Sequence, residues 1–564
     1  MENAVVCGGE AAALLNRWSR QLWRALVLSA LTFAVGGCAG ISRDLAGILP
    51  LTRPHWNATR HDIRSRLART GNIDSVLAAF YAARGYRPVW SGSAAARRRA
   101  VVAMRVLAQA DTQGLPLTAY PFAVSIVRRP GQRAAADDLE LTQSLLAYMH
   151  DVRLGRLQPS QVYQDIRLPS RQFDPAAALA RALATKDLKN FLKGLPPPAP
   201  QYRELVDALA RYRRIEAKGG WQRLGPHPSR AQLAARLGFE DAAFAVLHHP
   251  SAGAVASALR RFQARHGLKP DGVFGPRTRQ ALNVTARQRI GEIKANLERW
   301  RWLPRHFPER YIVANVPAQR VALIVDGRTE LQSKVVIGLK LADDTTPILL
   351  TKADAVIANP PWDIPDDIAI QGLLPHLRRD PNYLRARHMV LVGAPPHTRI
   401  DWANFTGSRL PYQIRQLPGP HNVLGNIMLN MPNHFDVYLH GTSDPRLFGL
   451  SDRARSHGCV RVQKIGKLAE LALEGSVTDP AQALRAAIAT GQTQRLALLR
   501  PLAVYLLYWT AQVEHDGEVA FWPDRYDRDP PLLAKLEPPA TAVALHLLPG
   551  AKGARMGGGT RRRR

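Results

Sequence analysis

The spacing of apolar residues changes character at Tyr311, and one fold class cannot accommodate both halves of the chain. Before it, apolar residues recur three and four apart. Val76, Leu77, Phe80 and Tyr81 share a helical face, Val102, Met104, Leu107 and Ala108 repeat it more loosely, and Leu139, Leu141, Leu145, Leu146 and Met149 mark another amphipathic helix. From Tyr311 the pattern is strand-like. Tyr311–Val316 and Arg320–Val325 are short β-rich runs divided by Pro317, Asp326-Gly327 is a hairpin signal, and Leu331–Ile337 follows. The expectation is a multidomain α+β protein with its helices first. A length of 564 residues allows roughly three to four domains. At 46% hydrophobic residues, the chain can supply ordinary cores.

The first 38 residues read as an export signal. Arg17, Arg20 and Arg24 precede an apolar stretch from Ala25 to Val35, and Gly36-Gly37 lead to Cys38. The stretch is short for a membrane span. Val35-Gly36-Gly37-Cys38 resembles a lipobox, whose cysteine becomes the lipidated first residue; a plain signal peptide is the alternative. The expected location is the periplasm with a lipid anchor at Cys38, and Ala39 after it favours the outer membrane. Residues 39–72, with Pro50 and Pro54, read as a polar tether. Cleavage before Cys38 removes Cys7 and leaves Cys459 as the sole unmodified thiol. A lone thiol in an oxidising compartment points to chemistry rather than stapling.

The net charge is +32, from 77 Lys+Arg against 45 Asp+Glu. A polyanionic partner is one reading. Arginine is scattered and seldom interleaved with aromatics, so a solvated surface is the simpler one, and nucleic acid is not an expected partner. Residues 550–564, ending in Arg561–Arg564, read as a disordered basic tail.

Residues 73–225 read as an all-helical scaffold, with the Pro-rich Leu195–Pro200 as a connection. A compact unit follows at 226–285. Val255, Leu259 and Phe262 lie on one helical face, and Thr278 starts or caps a helix reaching Leu282. The series Phe262-Gln263, Gly267-Leu268, Asp271-Gly272, Gly275, Thr278 and Ala281-Leu282 resembles the repeat of a peptidoglycan-binding domain. That resemblance implies a small three-helix bundle. Ile290–Arg301 reads as a helix ending in Arg299-Trp300-Arg301-Trp302, where Arg–Trp stacking would fill a domain seam. A mostly-β domain is expected over 310–495, interrupted at about 366–414 by a helical and irregular lid that includes Leu373–Arg379. Residues 496–535 read as a C-terminal scaffold segment.

The chemistry-bearing residues lie between Val437 and Val462. Tyr438-Leu439-His440-Gly441-Thr442 ends a strand with a histidine, and Cys459 follows 19 residues later in Ser456-His457-Gly458-Cys459-Val460-Arg461-Val462. Acyl transfer needs a nucleophile, a nearby base and donors for the developing oxyanion. Cys459 is the candidate nucleophile and His440 the candidate base. Gly458 lets the backbone bend before the thiol, and nearby amides could supply the oxyanion hole. Arg461 is suited to meet a substrate carboxylate. The histidines lack metal-ligand spacing, and no phosphate-binding glycine loop is visible, so neither metal nor cofactor is expected.

His440-Gly441-Thr442 with Ser456–Val462 resembles the signature of the L,D-transpeptidases. The resemblance extends through Asn296–Trp302, Pro360–Pro365, Arg415–Pro420, Asn422–Gly425, Val504-Tyr505, Thr510-Ala511 and Asp516-Gly517, and so covers about residue 73 to 530. One departure is Met428-Leu429, where members commonly carry Lys-Phe.

The resemblance implies that Cys459 attacks and His440 accepts and returns the proton. It further implies that the Gly441 carbonyl orients the imidazole, that Gly458 and His457 support the site, and that Ser456 and Arg461 face the substrate. The implied substrate is the peptidoglycan stem peptide: D-alanine leaves a tetrapeptide, and the thioester passes to another stem as a 3→3 cross-link. Two alternatives remain at this level. One is attachment of proteins to the wall; the other is an idle, wall-anchoring lipoprotein.

Overall fold

The computed structural model describes residues 56–69, 75–128, 133–341, 344–380, 382–395, 398–407 and 409–537. The export signal, Cys38 and the basic tail lie outside them. The described chain falls into two compact units, one holding residues 56–105 and 121–145, the other residues 106–120 and everything from Leu146 onward.

The first unit is helical. Leu77, Phe80 and Tyr81 are buried as their spacing requires. Its hub is a buried carboxylate. Asp138 accepts hydrogen bonds from the amides of Val89 and Trp90, both at 2.9 Å, and from the Tyr81 hydroxyl at 2.6 Å. A buried charge needs such donors to offset lost hydration. Part of the expected tether is also a helix, Trp56–Arg69. It is mostly polar, which hid it, yet Ile63 is fully buried and Arg60 donates to the Gly85 carbonyl at 2.7 Å.

The second unit begins with more helices and departs from the all-helical expectation at β1 (Ile166–Arg167), which pairs in parallel with a strand of the β domain. The peptidoglycan-binding-like segment has helices Arg230–Gly238, Ala252–Arg265 and Pro276–Leu282, plus one turn at Ala242–Ala245. The residues of its sequence series bond to one another. The Gln263 amide lies within hydrogen-bond distance of Asp271, the Val273 carbonyl and Thr278, and its oxygen accepts from the Gly272 amide at 2.7 Å. Gly275 occupies the cap of the last helix, so Thr278 sits inside its first turn rather than capping it.

The β domain comprises β2 (Arg310–Asn315), β3 (Arg320–Val325), β4 (Arg328–Gly338), β5 (Ile348–Ala358), β6 (Trp362–Ile364), β7 (Met389–Val392), β8 (Gln413–Gln416), β9 (Ile427–Asn430), β10 (Leu439–His440), β11 (Ala454–Ser456), β12 (Val460–Val462) and β13 (Gln494–Leu507). The order is β5-β13-β2-β3-β4-β12-β10-β9, and β9 also pairs with β5, so the sheet closes on itself. Closure leaves no free edge along this ring and encloses an apolar core that includes Leu323, Val356, Leu429, Leu439, Val460 and Val504. β13 runs through position 495, where the sequence suggested the domain would end, and it lies between β5 and β2. The residues after 495 therefore begin inside the barrel wall.

The expected lid is an insert with its own three-stranded sheet, β6-β8-β7, and its own core of Ile364, Leu373, Leu377, Met389 and Ile414. Its strands are only three or four residues long, too short for their alternation to show. The helix Ala286–Arg301 joins the binding-like segment to the barrel and opens on a capping box of Thr285 and Gln288. Arg–Trp stacking is not what fills the seam. Trp300 stacks on Trp509 at 4.6 Å, Arg299 lies over Tyr508, and Arg301 pairs with Glu298, both fully buried. Glu298→Gln leaves the Arg301 charge uncompensated, and a loss of about 3–5 kcal/mol is expected. Urea denaturation monitored by tryptophan fluorescence checks it.

Candidate active site

Strand register builds the site. β10 and β12 pair in parallel with Leu439 opposite Val460 and His440 opposite Arg461. Leu439, Val460 and Val462 point into the core. Side chains alternate along a strand, so Cys459 and Arg461 fall on the opposite face, the one His440 shares. On its other side His440 is in register with Met428. The place where members commonly carry a lysine thus holds an uncharged neighbour of the imidazole.

His440 is buried, with Nδ1 3.3 Å from the Leu424 carbonyl oxygen. Backbone hydrogen bonds to Gly441 and Leu424 both act on the ring, so the expected Gly441 carbonyl shares the orienting role. Burial, with Arg461 beside it, lowers the imidazole to about 3. The ring is therefore neutral near pH 7, with a lone pair available for a proton. Cys459 is half-buried, and its Sγ lies 3.8 Å from the Asp436 carbonyl oxygen. Burial pushes the thiol up, and a backbone hydrogen bond from Tyr438 opposes this. No hydrogen bond joins Sγ to the imidazole among the described residues. The resting pair is a neutral thiol and a neutral base, and such bonds often form only when substrate arrives.

Gly458 has φ +97°, the left-handed bend that its place before the thiol requires. Arg461 stands half-buried with its Nε lacking any hydrogen-bond partner, and burial lowers its guanidinium. A buried guanidinium N–H left without a partner, on the face that holds Cys459, suits an incoming carboxylate. Ser456 is 2% exposed, and its hydroxyl donates to the Cys459 carbonyl at 2.5 Å, which braces the loop. His457 is exposed and pairs through Nδ1 with Asp344 at 2.6 Å. Asp344, Thr346 and Asp436 escaped the sequence reading, and Leu424 appeared in it only within Asn422–Gly425, with no role at the site. Each acts from another loop, and nothing in its local sequence announces it. No group of acidic, histidine and cysteine residues suited to holding a metal occurs among the described residues.

Residues 309–480 match the model of the L,D-transpeptidase catalytic domain. That stretch, which holds His440 and Cys459, is similar to an L,D-transpeptidase catalytic domain. Residues 75–209 match a scaffold domain, and residues 250–282 match a family described as "Putative peptidoglycan binding domain". A Haemophilus influenzae protein named "Putative L,D-transpeptidase" is 25% identical over 462 residues, covering 80% of this chain and 78% of that protein.

A raised thiol pKa makes a measurable demand. Alkylation of Cys459 by iodoacetamide, followed by mass spectrometry of its peptide, should accelerate with pH through 9 without levelling. A plateau near neutrality would reveal a preformed thiolate–imidazolium pair.

Proposed function

We propose that the protein is a murein L,D-transpeptidase that forms 3→3 cross-links through a thioester on Cys459. Sγ attacks the carbonyl carbon joining the third stem residue, a diamino acid, to the terminal D-alanine. The thiol proton passes to His440. As the C–N bond breaks, His440 returns that proton to the departing D-alanine amine. The side-chain amine of a second stem then attacks the thioester, loses its proton to His440 and releases the thiol. Arg461 would hold the terminal carboxylate of the donor stem.

One observation carries this reading: a buried, neutral imidazole shares a strand face with the thiol and with an unpaired guanidinium. The neutral imidazole is the form a base requires, and the guanidinium supplies the charge that a peptide terminus seeks. The lipid anchor at Cys38 and the periplasmic location belong to the same proposal. They would hold the enzyme beside its polymer. Equal palmitate labelling of wild type and Cys38→Ser would remove the anchor.

Muropeptides incubated with purified protein and resolved by mass spectrometry test the chemistry. Wild type should yield 3→3 dimers and free D-alanine. Cys459→Ala should yield neither. His440→Gln should lower the rate by about 10²–10⁴-fold. Full activity in Cys459→Ala would sink the proposal.

A further inference from the structure

The structure assigns Thr346, on a separate loop, as the positioning residue that aims the Cys459 amide into the site. Thr346 is fully buried, and its single hydroxyl has both roles filled. Oγ1 accepts from the Gly338 amide at 2.9 Å and donates to the Gly458 carbonyl at 2.8 Å. Its one hydrogen is therefore committed to Gly458.

The Gly458 carbonyl and the Cys459 N–H are two ends of one trans peptide plane and point in opposite directions. Fixing the carbonyl against Thr346 turns the N–H away from that loop. Among the described residues that amide has no acceptor, whereas the next one, Val460, donates to Tyr438 at 2.9 Å. A free amide on the nucleophile itself, held in one orientation, is the donor a tetrahedral oxyanion needs.

The anchor is itself clamped. The Tyr526 hydroxyl donates to the Gly338 carbonyl at 2.7 Å and accepts from the Thr346 amide at 3.3 Å. Arg528 reaches the Thr346 carbonyl and pairs with Asp165, and Asp165 also accepts from the Thr345 hydroxyl at 2.8 Å. Gly338 admits no side chain, since a Cβ there would lie 1.9 Å from the Asp344 carbonyl oxygen. Residues from the scaffold and from the C-terminal segment thus converge on the backbone that carries this hydroxyl.

The inference rests on Cys459 being the nucleophile. Thr346→Val keeps the shape and removes the hydroxyl. Its kcat should fall about 10²–10³-fold, with KM within about twofold, because the lost donor acts on the transition state. Cys459 alkylation should stay near the wild-type rate, and Thr346→Ser should restore kcat. If Thr346→Val does not fold, Tyr526→Phe carries the test, with kcat reduced and KM held. Unchanged kcat in a folded Thr346→Val, or equal falls in kcat and alkylation rate, would overturn the assignment. Unchanged kcat in Tyr526→Phe, where that variant carries the test, would do the same. Cys459→Ala run alongside separates the failures: activity there removes the chemistry, whereas an unaffected Thr346→Val removes only this residue's part.

Discussion

Two rungs of parallel strand pairing hold the site together. Leu439 opposite Val460 and His440 opposite Arg461 bring a base, a thiol and a guanidinium onto one face. The apolar partners on the other face fix the register, because a one-residue slip would send the polar side chains into the core. The geometry of the chemistry is therefore secured by Leu439, Val460 and Val462, which take no part in it. So short a pairing would not hold alone. The flanking strands β4 and β9 give it two neighbours, and closure through β5 removes the fraying edge.

Much of this was legible from the residues. That His440 and Cys459 would stand together, and that the backbone would bend at Gly458, could be read because acyl transfer restricts which side chains can stand together and how the backbone must bend. The helical stretches were legible because 3.6-residue periodicity persists over many turns. The insert's sheet was not, since strands such as Met389–Val392 offer too few residues to alternate. β13 was divided at residue 495 for a different reason. Nothing along a strand reports that its partners, β5 and β2, lie far back in the chain. The bond from Ser456 to the Cys459 carbonyl was not legible either, since a hydroxyl beside a thiol reads as a surface contact until its burial is seen.

The peptidoglycan-binding-like segment illustrates the limits of a motif. Gln263, Asp271, Gly272 and Thr278 read as a recognition series, yet their hydrogen bonds are spent on one another. They specify the loop between two helices. The motif thus identifies the scaffold of this segment more surely than the grip.

β13 has a consequence for how the chain is made. It is the wall between β5 and β2, and the ring cannot close until synthesis reaches Leu507. Until then β2 and β5 each lack a neighbour, and the insert must wait or form around an unfinished barrel. Joining strands so distant in sequence carries a loop-closure cost and slows folding. The barrel is therefore a late event in the life of the polypeptide, with exposed strand edges in the interval. Enzymatic competence arrives all at once, when the last stave is set.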